Sequence, residues 1–313
     1  MNAQISNGRA LGAFWGLAVG DAMGAPVEFL APGTFPRVTG YQPSPRFGLE
    51  PGAWTDDTIM AVCMAESIIV EGGYDSFAVM QDYVDWMVRG HNSPNGTCFD
   101  IGIQTAKALR QFRANPAIAE RTESAGNGTI MRLAPAVIAS QERSPEEAAR
   151  LFEVSARDTH NSDLAAEATI LFGMILRSLM EGTSFRESLA LAAETTERHL
   201  NKQGFPSQLV AEMVYAFGDE DANNSGFVIP SLGTAIWAVR STDTFEDAVL
   251  TAVNLGDDAD TVAAITGQMA GALYGARAIP EEWVAALYRR DDLAKMTADL
   301  LGGTGTVLRT RSY

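Results

Sequence analysis

Apolar residues recur at three- and four-residue intervals along most of this chain, with polar residues between them. That is the period of an amphipathic helix. It predicts helices over residues 6–24, 56–71, 75–90, 99–113, 129–139, 145–156, 162–181, 185–199, 207–217, 231–239, 244–254, 259–275 and 281–288. Alternating Val- and Ile-rich runs are scarce, so the expected fold is all-α, a compact bundle of about a dozen helices. Turn residues punctuate it at Pro32-Gly33, Pro51-Gly52, Ser93-Pro94-Asn95-Gly96, Gly126-Asn127-Gly128 and Asn223-Asn224-Ser225-Gly226. No low-complexity tract or linker divides the chain, and no solenoid period is visible, so residues 1–313 are expected to form a single domain.

Two of these helices carry small residues at four-residue spacing. Gly12, Gly16, Gly20 and Gly24 form one stripe; Gly267, Gly271 and Gly275, with Ala263 and Ala264 nearby, form another. Residues four apart share a helix face. Each glycine costs about 1 kcal/mol against alanine inside a helix, so the stripes predict close helix packing in return. A membrane reading fits poorly, because both stretches are short and Asp21 interrupts the first.

Two polar clusters, about 200 residues apart, break the apolar pattern at helix starts. One is Trp54-Thr55-Asp56-Asp57-Thr58; the other is Gly256-Asp257-Asp258-Ala259-Asp260-Thr261. Either alone fits an ordinary helix cap with an acidic first turn. Two in one chain favour a cation held between them, since clustered carboxylates repel and are costly to bury unpaired. Neither contains His or Cys, and oxygen ligands suit Mg²⁺, Mn²⁺ or Ca²⁺. The spacing is not that of an EF-hand. Helix N-termini are expected to keep Asp56, Asp57 and Asp258 ionised.

Composition narrows the partners. The chain has 313 residues and a net charge of −16, which argues against nucleic acid or an anionic membrane as a broad partner. The two cysteines, Cys63 and Cys98, make no disulfide framework, and an intracellular, cytoplasmic setting is expected. The N-terminal segment lacks the pattern of a secretory signal, and no apolar run reaches the roughly 18 residues of a membrane span.

Five segments, in order, resemble the motifs of the ADP-ribosylglycohydrolase family. They are Gly20-Asp21-Ala22-Met23-Gly24-Ala25-Pro26-Val27-Glu28-Phe29, the Trp54–Thr58 cluster, Gly126-Asn127-Gly128-Thr129-Ile130-Met131-Arg132, Thr159-His160-Asn161, and Asn254 to Thr261. The resemblance runs from about residue 10 to 275. It implies an all-α orthogonal bundle with a binuclear Mg²⁺ or Mn²⁺ site. The ligands it implies are Thr55, Asp56 and Asp57 from the first cluster and Asp258, Asp260 and Thr261 from the second. Asp100 resembles a carboxylate placed near the ribose, and Glu28 the glutamate beside the metals. Asp56, Asp57, Asp100 and Glu28 are thus the candidate catalytic carboxylates.

Gly126, Asn127 and Gly128 read either as a plain turn or as a backbone nest for a diphosphate, aided by a helix starting at Thr129. Met131 belongs to the same motif, and His160 is either a ligand contact or an interior hydrogen-bonding residue. His91 and His199 match nothing and are read as structural, as are the tryptophans, apart from Trp54 beside the first cluster.

Two departures stand out. Asp257 stands where the family usually has a second glycine, and Asn161-Ser162-Asp163-Leu164 differs from the commoner forms. The implied activity is metal-dependent removal of ADP-ribose from a mono-ADP-ribosylated protein by a monomer. Arginine linkage is favoured over serine linkage. A non-catalytic ADP-ribose-binding relative and a two-metal phosphoesterase are the alternatives.

Overall fold

The computed structural model describes residues 3–303 and 307–313. Met1 and Asn2, where the expected single unit begins, and residues 304–306 lie outside the described residues. Helices α1 (Ala3–Gly24), α2 (Asp56–Glu71), α3 (Ser76–Arg89), α4 (Ile103–Ala114), α5 (Ala134–Ala139), α6 (Pro145–Thr159) and α7 (Asp163–Met180) form the first half. The second half holds α8 (Phe185–Gln203), α9 (Val210–Tyr215), α10 (Val228–Arg240), α11 (Phe245–Val253), α12 (Ala259–Tyr274), α13 (Glu281–Ala286) and α14 (Arg290–Gly302). The only strands among the described residues, β1 (Gly73–Asp75) and β2 (Val307–Arg309), pair in parallel, Tyr74 opposite Leu308.

Helices α1 and α12 are the central pair, and their glycine stripes are the contact. A Cβ added to Gly16 would lie 2.1 Å from the Gly267 carbonyl oxygen, and one added to Gly20 would lie 2.0 Å from that of Ala263. Gly12 meets Gly271 and Gly24 meets Asp260, so the two helices run antiparallel, backbone against backbone. This pairing fixes the site. It brings the last turn of α1, with Asp21, to the first turn of α12, with Asp258 and Asp260. Around the pair, large side chains fill the interior, among them Phe14, Phe152, Phe172 and Phe245.

Several boundaries differ from the periodicity reading. Helix α4 begins at Ile103 rather than 99, because Asp100 takes a left-handed backbone (φ 58°) that a helix cannot contain. The expected helix 129–139 is a 3₁₀ turn at Asn127–Thr129 followed by the short α5. Pro135 has no N–H to donate back to Met131, so it can open a helix but not continue one. Helix α9 is shorter than 207–217. Leu209 is left-handed, and the buried Glu167 carboxylate takes the N–H of Val210 instead. Helix α14 was not expected. It buries only Leu293, Thr297 and Leu300, a narrow apolar face.

Candidate active site

Asp21 organises the first acidic cluster from outside it. Its Oδ1 accepts from the Thr55 backbone N–H at 2.7 Å and from Thr55 Oγ1 at 2.8 Å. Its Oδ2 accepts from Thr58 N–H at 2.9 Å and from Thr58 Oγ1 at 2.6 Å. Thr55 makes no side-chain cap of its own for α2. A carboxylate on α1 therefore performs the capping that satisfies the free N–H groups of a helix start.

The two clusters meet as the sequence implied. Thr55 Oγ1 lies 3.1 Å from Asp260 Oδ2, and Thr261 Oγ1 donates to Asp57 Oδ1 at 3.3 Å. One oxygen each of Asp21, Asp57 and Asp260 falls within 4.8 Å of the others, and so does one each of Glu28, Asp258 and Asp260. Asp260 belongs to both groups. Asp57 Oδ2 and Glu28 Oε2 are buried with no hydrogen-bond partner among the described residues.

The helix-end field expected to keep these groups ionised is outweighed. Burial, and after it the neighbouring carboxylates, push Asp56, Asp57 and Asp260 well above the carboxylate range, with Glu28 raised by the same causes. Burial also raises Asp258, against hydrogen bonds from Asn127 and Thr261. Asp21 and Asp100 are pushed up to about 6, again by burial first. Such a set stays ionised only with positive charge among it. The donors are oxygens alone, two of them orphaned, which fits hard divalent cations.

A cleft of about 710 Å³ opens beside this cluster. Glu28, Asp56, Asp100, Asp258 and Thr261 line it on the acidic side. Gly126, Asn127, Gly128, Met131 and His160 also line it, with Gln104 and Thr105 from the start of α4. Asn127 ties the two parts together, since its Nδ2 donates to Asp258 Oδ2 at 2.6 Å while its N–H donates to the Gly226 carbonyl. The two glycines have a packing reason. A Cβ on Gly126 would lie 3.2 Å from His160 Nε2, and one on Gly128 would lie 3.1 Å from His160 Cε1.

Thr55, Asp57 and Asp260 lie beneath the cleft lining rather than in it, fully or almost fully buried. Thr129 does not face the cleft either. Its hydroxyl accepts from Thr169 in the interior, and the helix start expected there is the 3₁₀ turn. Asp257 is exposed and left-handed (φ 49°), the conformation for which glycine is the usual residue. It meets the rest of the site through its backbone, exchanging hydrogen bonds with Phe29 N–H and the Leu30 carbonyl. His91 and His199 pair with Glu66 and Glu153, away from the cleft. Asp21, Gln104 and Thr105 were not singled out from sequence. Only Asp21 carried a signal, as the lone charge in a stripe of glycines.

Comparison with known proteins matches the ADP-ribosylglycohydrolase family description to residues 2–308. The chain belongs to the ADP-ribosylglycohydrolase family. It is 38% identical over 296 residues to the ADP-ribosylarginine hydrolase Tri1 of Serratia proteamaculans (strain 568), covering 93% of this chain and 78% of that one. It is 30% identical to the ADP-ribosyl-(dinitrogen reductase) glycohydrolase of Rhodospirillum rubrum, over 89% of this chain and 90% of that one. A solved structure described as an ADP-ribosylglycohydrolase-related protein complex superposes with a TM-score of 0.81 at 35% identity, over 96% of this chain and 99% of that one. Membership makes this ADP-ribosylglycohydrolase an enzyme, and its all-α fold is the family's. No helix among its described residues is long and apolar enough to cross a membrane.

Proposed function

We propose that this ADP-ribosylglycohydrolase removes ADP-ribose from mono-ADP-ribosylated protein, with arginine as the linked residue, and that it needs Mg²⁺ or Mn²⁺, two per chain. We further take it to act as a monomeric single domain. The observation that carries this reading is the buried carboxylate cluster, short of positive charge, beside a cleft large enough for a nucleotide-sized ligand. Arginine linkage is favoured because two relatives at 38% and 36% identity are named ADP-ribosylarginine hydrolases.

Asp56, Asp57, Asp258 and Asp260, with Thr55 and Thr261, would hold the cations; the geometry adds Asp21 as the group that positions Thr55. Bound there, divalent cations would anchor ribose hydroxyls and lower the pKa of a water. Glycosidic cleavage leaves positive character at the ribose C1, and the carboxylates of Asp100 and Glu28, both lining the cleft, suit its stabilisation and the associated proton transfers. Among the described residues the cleft lining includes no Lys or Arg, the nearest cation seen at its edge being Arg46, stacked 4.3 Å from the Phe29 ring. The diphosphate would then be met by neutral donors, from the Gly126–Gly128 turn, Thr105 and the N-terminus of α4. A binding-only role drew its support from Asp257; that side chain is exposed, and its charge adds only the smallest of the effects on Asp258, after burial and the hydrogen bonds from Asn127 and Thr261.

Incubation with arginine-linked and, separately, serine-linked ADP-ribosyl peptides, in Mg²⁺, Mn²⁺ or EDTA, tests the proposal through release of free ADP-ribose. Metal-dependent release from the arginine peptide is expected. Release only from the serine peptide overturns the linkage, and undiminished release in EDTA overturns the metal requirement.

A further inference from the structure

Arg132, Thr159 and His160 form a chain of hydrogen bonds with a fixed direction. Arg132 is fully buried behind the Gly126–Gly128 turn, its guanidinium 5.1 Å from the centroid of the Tyr83 ring. One terminal nitrogen donates to the Gly128 carbonyl and the other to Thr159 Oγ1 at 2.6 Å. A guanidinium can only donate, so Thr159 Oγ1 is the acceptor in that bond. Its own single proton must go elsewhere, and the other partner of Oγ1 among the described residues is His160 Nδ1, at 3.0 Å. If Nδ1 carried a proton, two donors would point at Oγ1 and the threonine proton would be buried without an acceptor. A buried donor left unpaired in this way keeps its full desolvation penalty. Nδ1 is therefore bare, and the imidazole proton sits on Nε2.

Nε2 is the ring edge that lies against Gly126, and His160 lines the cleft there. No hydrogen bond to Nε2 is made by the described residues. Burial, with the nearby Arg132 charge, also holds the imidazole pKa down at about 3, so the ring is neutral at working pH.

We propose that Thr159, oriented by Arg132, is a positioning residue that holds His160 as an uncharged Nε2–H donor to an oxygen of the bound ligand. Under the reading of the cleft given above, on which this inference rests, that oxygen belongs to the ADP-ribose diphosphate. The direction of the donor is then set before the ligand arrives, which removes the ordering cost of choosing a tautomer on binding. A protonated histidine is not needed, and a cleft without Lys or Arg in its lining gains a donor that adds no charge beside the acidic cluster.

The test uses the full chain labelled with ¹⁵N-histidine. Long-range ¹H–¹⁵N spectra report the tautomer of each of the three histidines, and His160→Gln assigns the relevant signal. The wild type and Thr159→Ser are expected to show Nε2–H at His160. Thr159→Val, close to isosteric, is expected to lose the single tautomer while keeping its helical circular dichroism. ADP-ribose affinity, by calorimetry, should fall about tenfold in Thr159→Val, equivalent to about 1.4 kcal/mol, and return in Thr159→Ser. Wild-type binding with an Nδ1–H tautomer overturns the relay and leaves the reading of the cleft intact. Unchanged affinity in Thr159→Val overturns the positioning role. Absence of ADP-ribose binding by the wild type overturns both this inference and the reading of the cleft.

Discussion

Asp21 Oδ1 accepts both the backbone N–H and the hydroxyl of Thr55, at 2.7 and 2.8 Å, across 34 residues of sequence. The α2 start, with its two aspartates, is thereby held from α1, and α1 is in turn locked to α12 through the glycine stripes. Asp21→Asn keeps the shape but replaces one acceptor oxygen by a donor that faces the N–H and hydroxyl groups of Thr55 or Thr58. Breaking a buried charge-assisted set of this kind costs on the order of 3 kcal/mol or more. Asp21→Asn should therefore lower the urea midpoint and also weaken cation binding measured by calorimetry. A loss of stability with unaltered cation affinity would contradict the positioning of Thr55 by Asp21.

Glycine substitutions along α1 should differ sharply by position. A Cβ on Gly16 would sit 2.1 Å from the Gly267 carbonyl oxygen, which belongs to backbone and cannot swing aside. Gly16→Ala is expected to force the two central helices apart, with destabilisation of about 1–3 kcal/mol or more. Nothing lies within 4 Å of a Cβ at Gly8, in the same helix. Gly8→Ala should stabilise by about 0.5–1 kcal/mol through helix propensity. Paired denaturation curves decide it, and equal effects at the two sites would sink the backbone-contact account.

Asp257 offers a substitution that should leave catalysis alone. Its carboxylate is exposed and its φ of 49° is one that glycine adopts without strain. Asp257→Gly should hold turnover within about twofold of wild type, because only backbone groups of this residue reach the Glu28 loop. Asp257→Val, β-branched in a left-handed position, should destabilise by on the order of 1–3 kcal/mol. A large gain in turnover for the glycine variant would show instead that this carboxylate hinders the site.

The sequence and the structure agree most where the signal was local and periodic. The glycine stripes announced the α1–α12 contact because a four-residue repeat stays on one helix face. The acidic clusters were legible because carboxylates rarely crowd together without a reason. Asp21 was not, since its partners Thr55 and Thr58 are distant in the chain and a lone Asp in a helix reads as an interruption. Capping from another helix has no local pattern. The shift of the α4 start past Asp100 was equally hidden. A left-handed aspartate is a tertiary choice, and here it aims residues 100–105 along the cleft. Thr129 misled for the opposite reason, because a helix-start residue after Gly-Asn-Gly looks like a helix start even when Pro135 delays the helix.

Acid should weaken the fold through a site remote from the cleft. Glu153, almost fully buried on α6, is paired with Arg157 at 2.8 Å, Arg150 at 2.7 Å and His199 at 3.0 Å. Burial alone would raise its pKa, but the hydrogen bonds from His199, Arg157 and Arg150 outweigh it and bring the carboxyl down to about 2. A folded pKa below the unfolded one contributes stability that is complete above the unfolded value, near 4.5, and is lost as pH falls toward 2. The contribution is on the order of 3 kcal/mol. Glu153→Gln leaves the buried Arg157 with Asp163, at 3.1 Å, as its one remaining carboxylate among the described residues, so it should be clearly less stable than wild type at pH 7. The gap between the two should narrow as the pH is lowered from about 4.5 toward 2, followed by urea unfolding at each pH. A gap that stays constant over that window would show that Glu153 has no depressed pKa.

Neutralising one cluster carboxylate should separate stability from cation binding. Asp260 belongs to both carboxylate groups and is repelled by Asp100, Asp258 and Asp21. In EDTA, with no cation among the carboxylates, Asp260→Asn puts a neutral group of nearly the same volume where the wild type must either bury a repelled charge or take up a proton. Its melting temperature in EDTA should therefore equal or exceed that of wild type. Added Mn²⁺ should raise the wild-type melting temperature, because a ligand at 100 times its dissociation constant stabilises the folded state by about 2.7 kcal/mol. The same addition should leave Asp260→Asn nearly unmoved, and ADP-ribose release should be lost with the helical circular dichroism intact. Asp56→Ala with Asp57→Ala should behave alike in turnover, since those side chains complete the other half of the cluster. A variant that melts lower in EDTA yet responds to Mn²⁺ as wild type does would mean that Asp260 serves the fold and not the cation.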